Sequence, residues 1–103
     1  MLKIRLLGTF EIESNDRIIQ ISGRPEQSLF AYLVLNSGVL HRRERLATLL
    51  WPDSPDASAR DNLRHVLWRV RKALPAEPDV EYLVANDLTI AFNSSAEHWL
   101  DVR

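Results

Sequence analysis

The stretch from Ser54 to Pro78 constrains the fold of this chain more than any other. Ser54-Pro55-Asp56 reads as the cap and first turn of a helix. Ala59, Leu63, Leu67, Val70 and Leu74 then fall on one stripe of a 3.6-residue repeat, and Pro75, Ala76, Glu77 and Pro78 end it near Leu74. A helix with a single apolar stripe has to lay that stripe on other elements, so the remaining sequence must supply the bed.

The flanking segments are suited to that task. Leu2, Ile4 and Leu6 alternate with Lys3 and Arg5, and Phe10 and Ile12 alternate with Glu11 and Glu13, the period-two pattern of half-buried strands. Ser14-Asn15-Asp16 is a polar turn, and Ile18 to Ile21 returns from it as a third strand of an antiparallel meander. Ser22-Gly23-Arg24-Pro25 breaks the alternation and opens a helix to about Asn36. Its face is Leu29, Phe30, Leu33 and Val34, and its stop is Asn36-Ser37-Gly38. A second helix runs from about Arg42 to Trp51, with Leu46, Leu49 and Leu50 inward, Trp51 as a core anchor and Pro52 as its stop. After the long helix, Glu81 to Ala85 and Leu88 to Phe92 are two short strands joined at Asn86-Asp87, a hairpin signal. The expected fold is α+β: an N-terminal antiparallel sheet, three helices and a C-terminal β-hairpin.

At 103 residues and 46% hydrophobic content the chain fits one compact domain with one core. Cysteine is absent, which excludes disulfides, thiolate zinc sites and cysteine nucleophiles. No apolar run approaches the ~20 residues that cross a bilayer, and Met1 to Arg5 alternates charged and apolar side chains, unlike a signal peptide. The expected location is the cytoplasm, with no membrane partner. A formal net charge of −1 argues at first against a polyanionic ligand. The charge is segregated, however. Arg60, Arg64, Arg69, Arg71 and Lys72 lie in the long helix against Asp56 and Asp61, while Ala73 to Val102 contains neither Lys nor Arg. Surface fields are screened beyond ~8–10 Å, so one basic segment in an acidic protein still makes a local positive face.

At 100° per residue, the side of the long helix opposite its stripe carries Asp61, His65, Trp68 and Lys72, flanked by Arg64 and Arg69. Arginine suits DNA because its planar fork can bind guanine O6 and N7 together, or a phosphate without regard to sequence. Arg42 and Arg43 open the second helix, whose free N–H groups would favour an anion.

These residues also carry a resemblance. Asn62 to Leu74, NLRHVLWRVRKAL, resembles the recognition helix of OmpR/PhoB-type winged helices. Leu2 to Phe10 (LKIRLLGTF), Gly23-Arg24, Glu44 to Asp53 (ERLATLLWPD) and Ala59 to Leu74 together look like the Streptomyces antibiotic regulatory protein branch. In that branch this domain precedes a helical bacterial transcriptional activator domain. The resemblance implies a winged helix-turn-helix spanning 1–103, with about 95–103, through Asp101-Val102, as the start of a linker to that activator domain. It implies a cytoplasmic bacterial activator that binds double-stranded DNA at promoter direct repeats as head-to-tail copies, with RNA polymerase as a further partner. The helix at about 55–74 would enter the major groove, and the hairpin wing would touch the adjacent minor groove or backbone. Carried over, Arg64, His65, Trp68 and Arg69 are base-facing. Arg42, Arg43, Arg60, Asn62, Arg71 and Lys72 are phosphate-facing. The chain departs from the pattern in the bulk of Trp68, in Arg42 at the usual Ser/Thr cap, and in a wing that bears Glu81 and Asp87 but no cation.

No enzyme, cofactor or metal is expected. His41, His65 and His98 are scattered, Ser54, Ser94 and Ser95 lack a nucleophile-elbow context, and three glycines build no phosphate loop. The competing class is a winged-helix module for protein contact, in which Trp68 anchors a partner and the acidic wing faces a basic surface.

Overall fold

A computed structural model of the chain describes residues 2–6, 10–75, 81–96 and 98–101; the expected helix stop at Ala76, Glu77 and Pro78, and Val102, lie outside them. Strands β1 (Leu2–Arg5), β2 (Glu11–Ser14) and β3 (Arg17–Ile19) form the antiparallel meander. Leu2, Ile4 and Ile12 are fully buried while Lys3 and Arg5 are exposed, as the alternation requires. Asn15 and Asp16 join β2 to β3 with φ of 49° and 66°. Two successive left-handed residues match the twist of the strands they connect, and Asn and Asp tolerate that conformation. β3 ends earlier than the alternation predicts, and Ile21 is instead a buried lead-in whose carbonyl accepts from Gln27 Nε2 at 2.9 Å.

Helix α1 (Arg24–Leu35) starts after Gly23 and ends at Asn36, whose N–H and Nδ2 both donate to the Tyr32 carbonyl. The left-handed residue after it is Gly38, at φ 84°. A short strand, β4 (His41–Arg42), runs directly into α2 (Arg43–Leu50). Helix α3 (Asp56–Ala73) has Pro55 at its cap position and no side-chain cap, so Ser54 does not serve the role expected of it. Asp56 in the first turn and Arg71 and Lys72 in the last complement the helix dipole. The wing is β5 (Leu83–Ala85) and β6 (Thr89–Phe92), and the described chain closes with β7 (His98–Asp101).

The strands make two sheets, ordered β3-β2-β1-β7 and β4-β6-β5. β7 lies within the stretch 95–103, expected from the sequence to begin a linker, and its residues His98–Asp101 join the first sheet. It lies parallel to β1, Leu2 opposite His98 and Arg5 opposite Asp101. It is held there because it pairs an edge of β1 that would otherwise be open, while Leu100 packs on the core and the His98 ring sits 4.9 Å from that of Phe92.

Phe30 ties the layers together. Its ring meets Phe10 and Phe92 edge-on at 6.1 and 6.2 Å, which joins α1 to both sheets. Around it α3 buries Ala59, Leu63, Val66, Leu67 and Val70, the expected stripe widened by Val66. The order of sheet, three helices and hairpin is that of the expected α+β winged helix-turn-helix.

This packing fixes which side of α3 faces out, and one substitution tests it. Val70 is fully buried, and a carboxylate in its place costs several kcal/mol against a net stability of about 5–15 kcal/mol. Val70→Asp is therefore expected to lose its cooperative thermal transition, whereas Trp68→Asp on the opposite side keeps it. A cooperative melt of Val70→Asp would mean that the two faces are reversed.

Candidate nucleic-acid interface

The exposed side of α3 brings Arg60, Arg64, His65, Trp68 and Lys72 together. Trp68 is 61% exposed, and the Lys72 ammonium, one turn on, lies 4.6 Å from its ring centroid. Arg64 Nη2 is 3.4 Å from Asp61 Oδ1 with both side chains about two-thirds exposed. Such a pair contributes only ~0–1 kcal/mol and exchanges readily for another anion. Arg60 and His65 make no ion pair or side-chain hydrogen bond among the described residues.

Beside this face, the start of α2, the middle of α3 and the wing turn enclose a groove of about 250 Å³. Arg42, Arg43, Arg60 and Arg64 line it, and Glu44, Asp61 and Asp87 offset part of their charge. Arg42 is exposed at the cap position of α2, and its side chain makes no ion pair among the described residues that line the groove.

Other expected contacts are committed within the molecule. Arg69, expected to face bases, donates from Nη1 to Glu26 Oε2 at 2.9 Å and so leans toward α1. Glu26 is buried to 6% exposure because it folds back over the start of its own helix. Gly23 makes room: a Cβ there would collide with Glu26 Oε1, and its φ of 94° suits glycine in any case. Arg71 reaches Glu81 at 3.4 Å, so this acid before β5 engages a helix cation rather than standing free before a phosphate. Arg43 fastens the wing: its Nε donates to the Asn86 carbonyl at 2.8 Å and its backbone N–H to the Leu88 carbonyl at 2.9 Å. The first amide of α2 is thus not free for an anion, contrary to the expectation from sequence. Asn62 is half-buried beside the core stripe.

The wing turn is built by Asn86, whose Oδ1 accepts from the N–H groups of Leu88 and Thr89 at 2.8 Å each and whose own N–H donates to the Thr89 carbonyl. The turn therefore centres on Asp87-Leu88, one residue beyond Asn86-Asp87. Sequence reasoning missed Glu26 and the anchoring role of Asn86. Glu26 had a legible signal, an acid three residues after the helix cap, where it can reach back to the cap residue.

Among the described residues no group of three or more metal-ligating side chains converges, and no helix is long and apolar enough to cross a membrane. No protein-family model matches the chain, and a search of curated proteins finds no match.

The Glu26–Arg69 pair is unequally buried, its side chains 7% and 58% exposed, and that asymmetry is measurable. Arg69→Ala strands a buried carboxylate and is expected to cost about 1–3 kcal/mol, less than for a fully buried pair because Arg69 reaches solvent. Glu26→Gln keeps an acceptor and removes the charge, so it should cost less, and adding it to Arg69→Ala should recover stability. Urea unfolding of the three variants checks this; equal, small losses in both single variants would place the pair at the surface.

Proposed function

We propose that this chain is the sequence-specific DNA-binding domain of a bacterial transcriptional activator of the OmpR/PhoB type, in the Streptomyces antibiotic regulatory protein branch. The observation that carries the reading is the two-sidedness of α3. One side is seated in the core, and the other offers Arg60, Arg64, His65, Trp68 and Lys72 along an 18-residue helix, about 27 Å of exposed rod. The major groove, ~12 Å wide, admits such a helix, and its base edges carry a donor and acceptor code that arginine can read.

The wing turn is tied to the start of α2 through Arg43, so the wing, α2 and α3 present the groove with Arg42, Arg60 and Arg64 as one surface. In this reading Arg64, His65 and Trp68 face bases, with Lys72 beside the Trp68 ring, while Arg42 and Arg60 lie nearest the phosphates. Arg69 and Arg71 act chiefly by holding α3 to α1 and to the wing side. Copies of the domain would occupy direct repeats about one helical turn apart, ~10–11 bp, head to tail, in the cytoplasm and with RNA polymerase as a further partner.

A protein-contact module is the second reading. It is favoured by the exposure of Trp68 together with the internal engagement of Arg43, Arg69 and Arg71.

Salt separates the two. Binding to a labelled random-sequence duplex, followed by anisotropy at several salt concentrations, is expected to weaken by ~0.9 logarithmic units per phosphate contact for each tenfold rise in salt. Arg60→Ala should weaken all duplexes alike and reduce the slope by about one. Arg64→Ala should cost ~1–3 kcal/mol on a preferred site and flatten the preference at one base pair. Salt-independent binding, or no binding at low salt, would favour the protein-contact reading.

A further inference from the structure

Phosphate binding leaves the most conspicuous group on α3 unused. Trp68 is an indole with one N–H donor and no acceptor, standing 61% exposed in the middle of the cationic face. It cannot attract a phosphate by charge, and leaving so much apolar surface in water is unfavourable unless something covers it. Lys72 makes no ion pair among the described residues; its ammonium rests 4.6 Å from the Trp68 ring centroid. The ammonium sits over one face of a ring that remains largely exposed, so the two present an apolar plate and a strong donor within reach of one base edge.

The four bases differ at the major-groove edge in a way that this pairing can sort. Thymine alone combines a C5-methyl group with a neighbouring acceptor, O4. Cytosine has no methyl and turns its N4 amino donor outward, toward the ammonium. Guanine offers acceptors at N7 and O6 without a methyl, and adenine an acceptor and a donor. We propose that Trp68 and Lys72 form a thymine reader, the ring covering the methyl while the ammonium donates to O4. The assignment rests on the DNA-binding reading above and adds the base that it selects.

The test uses the whole chain and starts from duplexes selected out of a random pool at low salt. In the best-bound duplex each thymidine is replaced in turn by deoxyuridine, which removes only the methyl, and then by 5-methylcytosine paired with guanine, which restores the methyl but exchanges O4 for an amino group. At one thymine, deoxyuridine is expected to weaken binding about fourfold, the loss of one buried methyl-sized group. At that position 5-methylcytosine should not restore it.

Trp68→Ala, or Trp68→Gln where the alanine variant binds too weakly, should bind the thymine and deoxyuridine duplexes equally. Lys72→Met should still sense the methyl but lose the preference for thymine over 5-methylcytosine. Both side chains are exposed, and unchanged circular-dichroism melts would show that the variants are folded. Deoxyuridine without effect at every thymine, or a Trp68→Ala variant that still discriminates, would overturn the thymine reader and leave DNA binding intact. Failure to select any duplex would remove the DNA reading, and this inference with it.

Discussion

The seating of α3 through Leu63, Val66, Leu67 and Val70 is the constraint on which the other features depend. Each such side chain contributes roughly 1.5–3 kcal/mol when fully buried, whereas an exposed ion pair contributes ~0–1 kcal/mol. The core therefore sets the rotation of the helix, and the arginines adjust to it. With the stripe turned inward, Trp68 has nowhere to go but solvent, and Arg60, Arg64, His65 and Lys72 share its side. The sheets make this possible. Phe30 and Phe92 bring α1 and the wing into the same core, and Arg43 ties the wing turn to α2, so the groove walls belong to one packed body.

Electrostatics then sorts the cations by how firmly they are held. Arg64 shares its charge with an equally exposed Asp61, and a phosphate or a base can replace that partner at small cost. Arg69 is bound to a carboxylate that is largely withdrawn from water, so releasing it would leave Glu26 buried and unpaired. The same residue type, five positions apart on one helix, thus has two different roles. A net charge of −1 still permits a locally basic face: Glu81 is engaged with Arg71, while Glu44, Asp61 and Asp87 offset only part of the charge of the four arginines lining the groove.

Much of the fold was legible because local patterns decide it. The alternation around Leu2 to Ile12, the stripe from Ala59 to Leu74 and the turn at Asn15-Asp16 each need only neighbours in sequence. The features that were not legible depend on distant partners. β7 pairs with β1 across nearly the full chain, and four residues carry too little pattern to announce it. β4 spans two residues and exists because β6 lies beside it. For the candidate site, the outward face of α3 could be derived from periodicity, but the direction of Arg69 could not. A helical wheel places its backbone at the flank, and only the packing of α1 brings Glu26 within 2.9 Å. Arg43 is similar: its place at the start of α2 was legible, and its bond to Asn86 was not.

The central claim is that the exposed side of α3, with the adjoining groove, is the surface that meets DNA. The most direct measurement is a titration of the isotopically labelled chain with duplex DNA, followed residue by residue through its amide and indole NMR signals. The account predicts that the largest changes fall on Arg60, Arg64, His65 and the Trp68 indole, extend to Arg42 and Leu88, and leave the signals of β2 and β3 still. Changes centred instead on the α1–α2 surface around Val39, Leu40 and Leu49, or no changes at any DNA concentration at low salt, would contradict it.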